Sequence, residues 1–305
     1  MKAALLRVRA VAAGELLERG RRGLLVSWFV MTLLLAFGLV AGNVTVSSGS
    51  SAVGGAKAVL TSGFALAQLV AITAVVVHGF FAAFVSGMPA LRDRDLRTHA
   101  LLFATRLSPR EWVAGKLVAA LVITLGILVL ELAVIAIAAH LLPLAPIETR
   151  GVFDLRAYAG AFFAFGLPPL VFVSGVAVAV AVATGKRTPV VLLPLALVLL
   201  LGFGAWQLPT TLARPLQLAI GLVDPSGFAW LRFEWLAEDR GVAFYNQAAV
   251  PLSAAFIVSR VAFLVLGILL PLAVARRALA ANVERSPVRP TTAVRSPTAS
   301  DEAPA

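Results

Sequence analysis

The stretch "LVAALVITLGILVLELAVIAIAA", residues 117–139, decides the fold class of this chain. It contains a single ionisable residue, Glu131, and lacks the alternation of polar and apolar positions that is typical of a strand. A run of about 20 apolar residues is long enough to cross the hydrocarbon core of a bilayer. Because lipid offers no partner for backbone polar groups, such a run must be a helix. We therefore predict an all-α integral membrane protein.

The composition of the whole chain agrees with a membrane setting. The 305 residues have a mean hydropathy of +0.94, and only 13% of them are charged. That leaves too little polar surface to cover a soluble domain of this length. The sequence contains no cysteine, which excludes disulfides and thiolate metal sites.

Six apolar runs have the length of a membrane span. They cover residues 24–41, 64–85, 117–139, 158–183, 189–206 and 254–274. An even number of spans places both termini on the same side of the membrane. We therefore predict six transmembrane helices in one domain, over residues 23–280.

The distribution of basic residues predicts which side that is. Most of the 26 Lys and Arg fall on the side of the termini, which gives that side nearly all of the net charge of +11. Cytoplasmic loops of membrane proteins carry this excess of Lys and Arg. We therefore expect both termini in the cytoplasm, and we read the charge as a topology signal rather than as a nucleic-acid site. The basic residues assigned to the opposite side are Lys57, Arg150, Arg156, Arg214, Arg232, Arg240 and Arg260.

Two flanking segments differ from the apolar body. Residues 1–22 place Leu5, Val8 and Val11 on one helical face among basic residues, which predicts a cytoplasmic interfacial helix; a plain extension of the first span is the alternative. Residues 281–305 are rich in Pro, Ser and Thr without an apolar period, which predicts a disordered cytoplasmic tail.

The charged stretch "RDRDLRTHALLFATRLSPREWVAGK", residues 92–116, connects the second and third spans. Within it, "SPRE" is typical of a helix start. Ser108 is the expected N-cap, Pro109 suits the first helical position, and Glu111 is placed to complete a capping box. The third helix is therefore expected to begin in the cytoplasm, before the membrane.

Upstream of that helix start, residues 95–106 can form a short helix with an apolar face. Its size suits insertion into a groove on another protein. A loop held against anionic lipid by its basic residues is the alternative. The apolar residues of this helix are Leu96, Leu101 and Leu102, and the basic residues around them are Arg94, Arg97 and Arg106.

The connection also carries a pattern that resembles the permease subunits of ATP-binding-cassette exporters of the type-two class. The residues that match are Arg97, Thr98, Leu101, Leu102, Thr105, Leu107, Ser108, Gly115 and Lys116. The later stretch "VDPSGFAWLRFEWL", residues 223–236, is similar more narrowly to permease domains that are fused to, or encoded beside, a zinc aminopeptidase. Asn246 and "SRVAFLVLG" from Ser259 belong to the same narrower resemblance.

This resemblance implies a function and a set of partners. It implies export of an unidentified substrate across a plasma or bacterial inner membrane, by a complex with a second permease copy or paralogue and two ATPase subunits. It also implies that the cytoplasmic connection is the segment on which the ATPase docks. The residues of that coupling segment are Asp93, Arg94, Asp95, Leu96, Arg97, Thr98, Leu101, Leu102 and Arg106.

The sequence carries no motif for nucleotide or peptide chemistry of its own. It contains neither a G-x-x-x-x-G-K-[ST] phosphate loop nor HExxH, and it has three histidines in all. We therefore predict no catalytic, cofactor or metal site in this chain, and we expect ATP to be hydrolysed on the partner subunit.

His78, inside the second predicted span, and Glu131, inside the third, are ionisable residues within apolar runs. A carboxylate in hydrocarbon costs a few kcal/mol at least, so it should face protein or water, or be protonated. One interpretation is a polar spot on a substrate path. The other is an interhelical hydrogen bond, in which the two residues are each other's candidate partners.

Two further features concern packing. Gly38 and Gly42 form a GxxxG near the end of the first span, a spacing that can bring membrane helices together. The segment 207–252 is rich in aromatic residues, which predicts interfacial helices on or dipping into the outer leaflet rather than a separate domain.

Two other functions fit the same sequence. A proton-coupled secondary transporter would use Glu131 as its proton carrier. A non-transporting scaffold would tether a peptidase or another partner without coupling to ATP.

Overall fold

The structure is a computed structural model, and it describes residues 2–19, 23–42, 59–96, 98–142, 144, 150–200, 204, 207–209, 211–238 and 240–276. The side chains of residues 99–101 and 198 also lie outside the description. The predicted tail at 281–305, Arg97 and the side chain of Leu101 therefore fall outside the described residues.

Every regular element in the described part of the chain is helical, as predicted. The elements are α1 Lys2–Arg19, α2 Gly23–Val40, α3 Gly63–Asp95, α4 Thr98–Phe103, α5 Pro109–Leu141, α6 Leu155–Thr184, α7 Arg187–Val198, α8 Arg214–Val223, α9 Phe228–Leu231, α10 Val242–Gln247 and α11 Ala254–Val274. Short π-helical turns lie within α3, α5 and α6 and directly after α9.

Five of these helices are long and apolar enough to cross a membrane: α2, α3, α5, α6 and α11. They are the helices of a multi-pass membrane protein. The fifth predicted span, residues 189–206, corresponds to α7, a shorter apolar helix of 12 residues. Residues 201–203, 205 and 206 lie outside the description, so the six-span topology stays a prediction.

The helix α6 lies at the centre of the bundle, and α3, α5, α7 and α11 pack against it. The closest approach joins α6 to α11. A Cβ built on Gly175 would lie 1.8 Å from the carbonyl oxygen of Gly267, so only glycine lets the two backbones touch here. The helix α11 leaves most of its apolar side chains exposed and α2 about half of them, as lipid-facing helices do.

The predicted helix start at "SPRE" is present. The side chain of Ser108 accepts a hydrogen bond from the backbone of Glu111, and the carboxylate of Glu111 accepts one from the backbone of Ser108 over 2.9 Å. Pro109 occupies the first turn of α5. This capping box fixes where α5 begins, and it separates α5 from the short helix α4.

The aromatic segment before α11 packs against protein. Phe228 and Trp230 are buried, and the Trp230 ring stacks on Phe256 in the first turn of α11 with their centroids 4.1 Å apart. Short helices were predicted here. These two aromatic rings lie in the core of the protein, because the start of α11 offers them an aromatic surface.

Candidate functional site

The predicted coupling segment begins with a residue that is held inside the protein. Asp93 is only 6% exposed, and its Oδ2 lies 2.7 Å from the ammonium nitrogen of Lys116. The same oxygen accepts a hydrogen bond from the indole N–H of Trp112 over 3.2 Å. Asp93 therefore holds α3 to α5, and a part for it in docking an ATPase stays a prediction.

Lys116 is the centre of this ion-pair cluster. It is fully buried, and its ammonium group donates to Glu15 Oε1 over 2.5 Å and to the carbonyl of Pro89 over 3.3 Å. A buried ammonium group is stable only when its charge and its hydrogen bonds are satisfied. Lys116 thus joins α1, α3 and α5 at one point.

Two arginines complete the cluster around Glu15. Arg19 Nε donates to Glu15 Oε2 over 3.3 Å, and Arg92 contacts both Glu15 and Glu18. Burial alone would raise the pKa of Glu15, but the cations around it, Lys116 foremost, hold that pKa below its ordinary value of 4.5. Glu15 therefore stays ionised at neutral pH.

Gly115 allows α1 to reach this cluster. A Cβ built on Gly115 would lie 2.6 Å from Cβ of Val11 and 3.0 Å from the carbonyl oxygen of Val8. Any larger side chain would push α1 away from α5. The "GK" at 115–116 therefore has a structural reason in this chain. Gly115 lets α1 pack close to α5, and Lys116 binds the carboxylate of Glu15 on α1.

The rest of the coupling segment is divided between buried and exposed positions. Leu96 is 65% exposed, and Arg106 is also exposed. Leu102 is half-buried against the cluster that contains Trp112. Asp95 pairs with Arg187 over 2.7 Å at the surface, and the hydroxyl of Thr98 donates to the carbonyl of Asp93 over 3.2 Å.

A cavity of about 640 Å³ lies between α1 and this segment. Its apolar lining comes from Val11, Leu96, Leu102 and Trp112, and Glu15 and Lys116 lie on its wall.

The guanidinium of Arg94 lies close to Gly185, which has a φ of +63°, so α3 also contacts the turn between α6 and α7. The exposed part of the segment therefore lies against α1 and α5 and close to the turn before α7.

The two ionisable residues predicted inside spans lie side by side. His78 Nε2 is 2.7 Å from Glu131 Oε2, and both side chains are fully buried. Trp28 of α2 donates its indole N–H to His78 Nδ1 over 3.0 Å, and the hydroxyl of Thr73 lies 3.4 Å from Glu131 Oε2. The polar cluster in the membrane therefore joins α2, α3 and α5.

Sequence reasoning missed Arg260. It lies inside the predicted last span, yet the basic-residue count assigned it to the external side. The structure buries it in α11, where its guanidinium donates to the carbonyls of Asp224 and Pro225 over 2.6 and 2.8 Å. The rings of Phe256 and Phe263 flank it. Its position within the apolar run 254–274 was the signal that could have identified it.

Gly42, the second glycine of the predicted GxxxG, has no close helix contact within the described chain. Gly38 is half-buried in α2, whereas Gly42 follows the helix in a turn with a φ of +75°. A Cβ on Gly42 would have no described atom within 4 Å. Glycine is favoured at Gly42 by this left-handed conformation, and a contact with a second subunit stays a prediction.

A second cavity, of about 630 Å³, lies at the opposite end of the bundle. Its lining includes Ser62 and Ala67 of the α3 region, Arg156 and Phe165 of α6, and Asn246 of α10. No group of three or more residues suited to bind a metal occurs among the described residues.

No protein-family model matches the chain, and no curated protein is significantly similar to it.

Proposed function

We propose that this chain is the membrane-spanning permease subunit of an ATP-binding-cassette exporter. In this proposal the chain crosses the membrane six times with both termini in the cytoplasm. A separate ATPase subunit hydrolyses ATP and docks on the segment around α4. A second permease copy or paralogue completes the path for an unidentified substrate.

The observation that best supports the proposal is the position of α4 between two long helices, α3 and α5. The short helix α4 connects the end of α3 to the capping box of α5. Near this connection, Lys116 of α5 binds Glu15 of α1. A force applied to α4 would therefore reach α3 and α5 together. Such a connection suits a subunit that receives mechanical work from a cytoplasmic partner.

The exposed apolar side chain of Leu96 is the best-defined contact point for that partner. It stands at the end of α3, next to the surface pair of Asp95 and Arg187. Leu102 was an equal candidate from the sequence, but its packing near Trp112 makes it part of the core as well. Replacing Leu96 therefore tests docking with the least damage to folding.

The experiment is purification of the tagged full chain from its native membrane, followed by mass spectrometry and an ATP hydrolysis assay. We expect an ATPase with a phosphate loop to copurify in stoichiometric amount. Leu96→Asp should remove it while the permease still inserts. Val152→Asp is the matched control, because Val152 is also an exposed apolar residue but lies at the opposite end of the bundle.

Three results would overturn the proposal. One is the absence of an ATPase from the wild-type preparation. Another is substrate flux in proteoliposomes that contain the purified chain alone and no ATP, which would favour a proton-coupled secondary transporter. The third is a partner that binds without coupling to ATP turnover, which would favour the scaffold.

A further inference from the structure

The hydrogen bond between Trp28 and His78 determines which nitrogen of His78 carries the proton. An indole N–H can only donate, so His78 Nδ1 must accept at the observed 3.0 Å. An imidazole that accepts at Nδ1 is neutral and carries its hydrogen on Nε2. That hydrogen points to Glu131 Oε2, 2.7 Å away. His78 is therefore a donor to Glu131 and cannot become an imidazolium without losing its bond to Trp28.

This arrangement leaves Glu131 without a neutralising cation. The polar groups facing it are His78 and Thr73, both uncharged in this geometry. Among the described residues, no Lys or Arg forms an ion pair or hydrogen bond with Glu131, and its Oε1 has no partner. The oxygen and the whole side chain are fully buried.

The side chain of Glu131 can be ionised or protonated, and burial favours one of these states over the other. An ionised carboxylate inside a membrane helix must be desolvated, and no cation among the described residues offsets that cost. A protonated carboxyl leaves only one O–H without an acceptor, and burying such a neutral group costs less than burying a charge. The protonated state is therefore preferred as long as water does not reach Oε1.

We infer that Glu131 Oε1 is a proton-binding site, and that Trp28 directs the proton there by holding His78 neutral. The step balances simply, because the carboxylate of Glu131 gains one proton on binding and returns it on release. Release requires that water or another partner reach Oε1. Since Trp28, His78 and Glu131 lie on α2, α3 and α5, proton release is tied to separation of these three helices.

This inference is independent of the ATPase partner, because it concerns only groups inside the chain. Trp28 acts as a positioning residue: it does not touch the carboxyl group, and it works through His78. The same site would serve a proton-coupled transporter or a proton-sensitive step in an ATP-driven cycle.

Nuclear magnetic resonance on the full chain in proteoliposomes can read both protonation states directly. Histidine labelled with ¹⁵N reports the tautomer, and replacing His99 and His140 with glutamine leaves His78 as the single histidine signal. We expect a neutral ring at neutral pH, unprotonated at Nδ1 and protonated at Nε2. Glutamate labelled with ¹³C should give one protonated carboxyl signal at neutral pH, and Glu131→Gln should remove it.

The variant Trp28→Phe tests the positioning role. It removes the N–H and keeps an aromatic ring against Phe81, whose ring stacks on Trp28 at 5.2 Å. His78 should then ionise, and the protonated carboxyl signal of Glu131 should disappear. Phe81→Leu is the control, because it changes the packing of Trp28 and leaves the N–H in place.

Two outcomes of the wild-type measurement alone would overturn the inference, even if Trp28→Phe fails to fold. One is an imidazolium at His78 at neutral pH. The other is an ionised Glu131 in the same sample. A Trp28→Phe protein that folds and keeps the wild-type tautomer would remove Trp28 from the mechanism.

Discussion

The ammonium group of Lys116 lies 2.5 Å from Oε1 of Glu15, a residue 101 positions earlier in the chain, and 2.7 Å from Oδ2 of Asp93. This contact makes α1 a packed part of the protein. The sequence left two interpretations of residues 1–22, an interfacial helix and an extension of the first span. In the structure, α1 lies against α5 and is fastened there by a buried ion pair.

Removing the Lys116 charge should destabilise the protein strongly. Lys116→Met takes away the cation closest to the buried carboxylates of Glu15 and Asp93, at 2.5 and 2.7 Å, and leaves them the longer contacts to Arg92 at 3.4 Å. Breaking a buried pair from one side typically costs about 3–5 kcal/mol, because the remaining charge stays buried. We expect a large fall in the unfolding temperature of the purified protein in detergent, measured by differential scanning fluorimetry.

The surface pair of Arg187 and Asp95 provides the control for that experiment. Its two side chains are more than half exposed, and exposed pairs contribute about 0–1 kcal/mol. Arg187→Gln should therefore leave the unfolding temperature almost unchanged. Equal effects of Lys116→Met and Arg187→Gln would contradict the role assigned to the buried cluster.

Enlarging Gly115 should release α1 without changing any charge. Gly115→Leu places a side chain where Val11 already lies, and overpacking of this kind costs about 1–3 kcal/mol, occasionally more. The chain has no cysteine, so a single cysteine introduced at the buried Ala12 can report on docking. Its reaction with a maleimide should be slow in the parent protein and markedly faster with Gly115→Leu.

Gly126 lies on the same helix and gives the matched control. A Cβ built there has no described atom within 4 Å, so Gly126→Leu should leave the labelling rate at Ala12 unchanged. Fast labelling in both variants would mean that the Ala12 probe reports general loosening of α5 rather than release of α1.

Acid should weaken the docking of α1. Because the folded-state pKa of Glu15 is lowered, the stability it contributes is present above its ordinary value of 4.5 and is lost as pH falls through the lower folded value. A spin label at the exposed position Leu17 should become more mobile as pH falls below about 4.5. In Glu15→Gln the label should be mobile already at neutral pH and change little on acidification.

The sequence predicted local features well. The capping box at Ser108 and Glu111 depends on residues three positions apart, and the spans depend on runs of about 20 apolar residues. The contact of His78 with Glu131 was one of two open interpretations, because two costly polar groups in hydrocarbon are expected to find each other. The capping box and the spans follow from short stretches of sequence, and the contact of His78 with Glu131 follows from the cost of polar groups in lipid.

The cluster around Lys116 could not be predicted in the same way. Asp93 and Lys116 both lie in the charged connection, and charge in a cytoplasmic loop normally indicates a solvated surface. Their burial depends on Glu15, which α1 brings in from far along the chain. Arg260 is a similar case, since its partners are backbone carbonyls, which no sequence pattern marks.

The last prediction concerns the number of spans, which depends on residues 189–206. Alkaline phosphatase folds only outside the reducing cytoplasm, so fusions report the side of each loop. With six spans, fusions after Ser50 and near Asp239 should be active, and those after Thr105, Arg187 and Val288 inactive. If residues 189–206 do not cross, the fusion near Asp239 becomes inactive and the one after Val288 becomes active. Because these two fusions exchange activities, the comparison distinguishes five spans from six regardless of expression level.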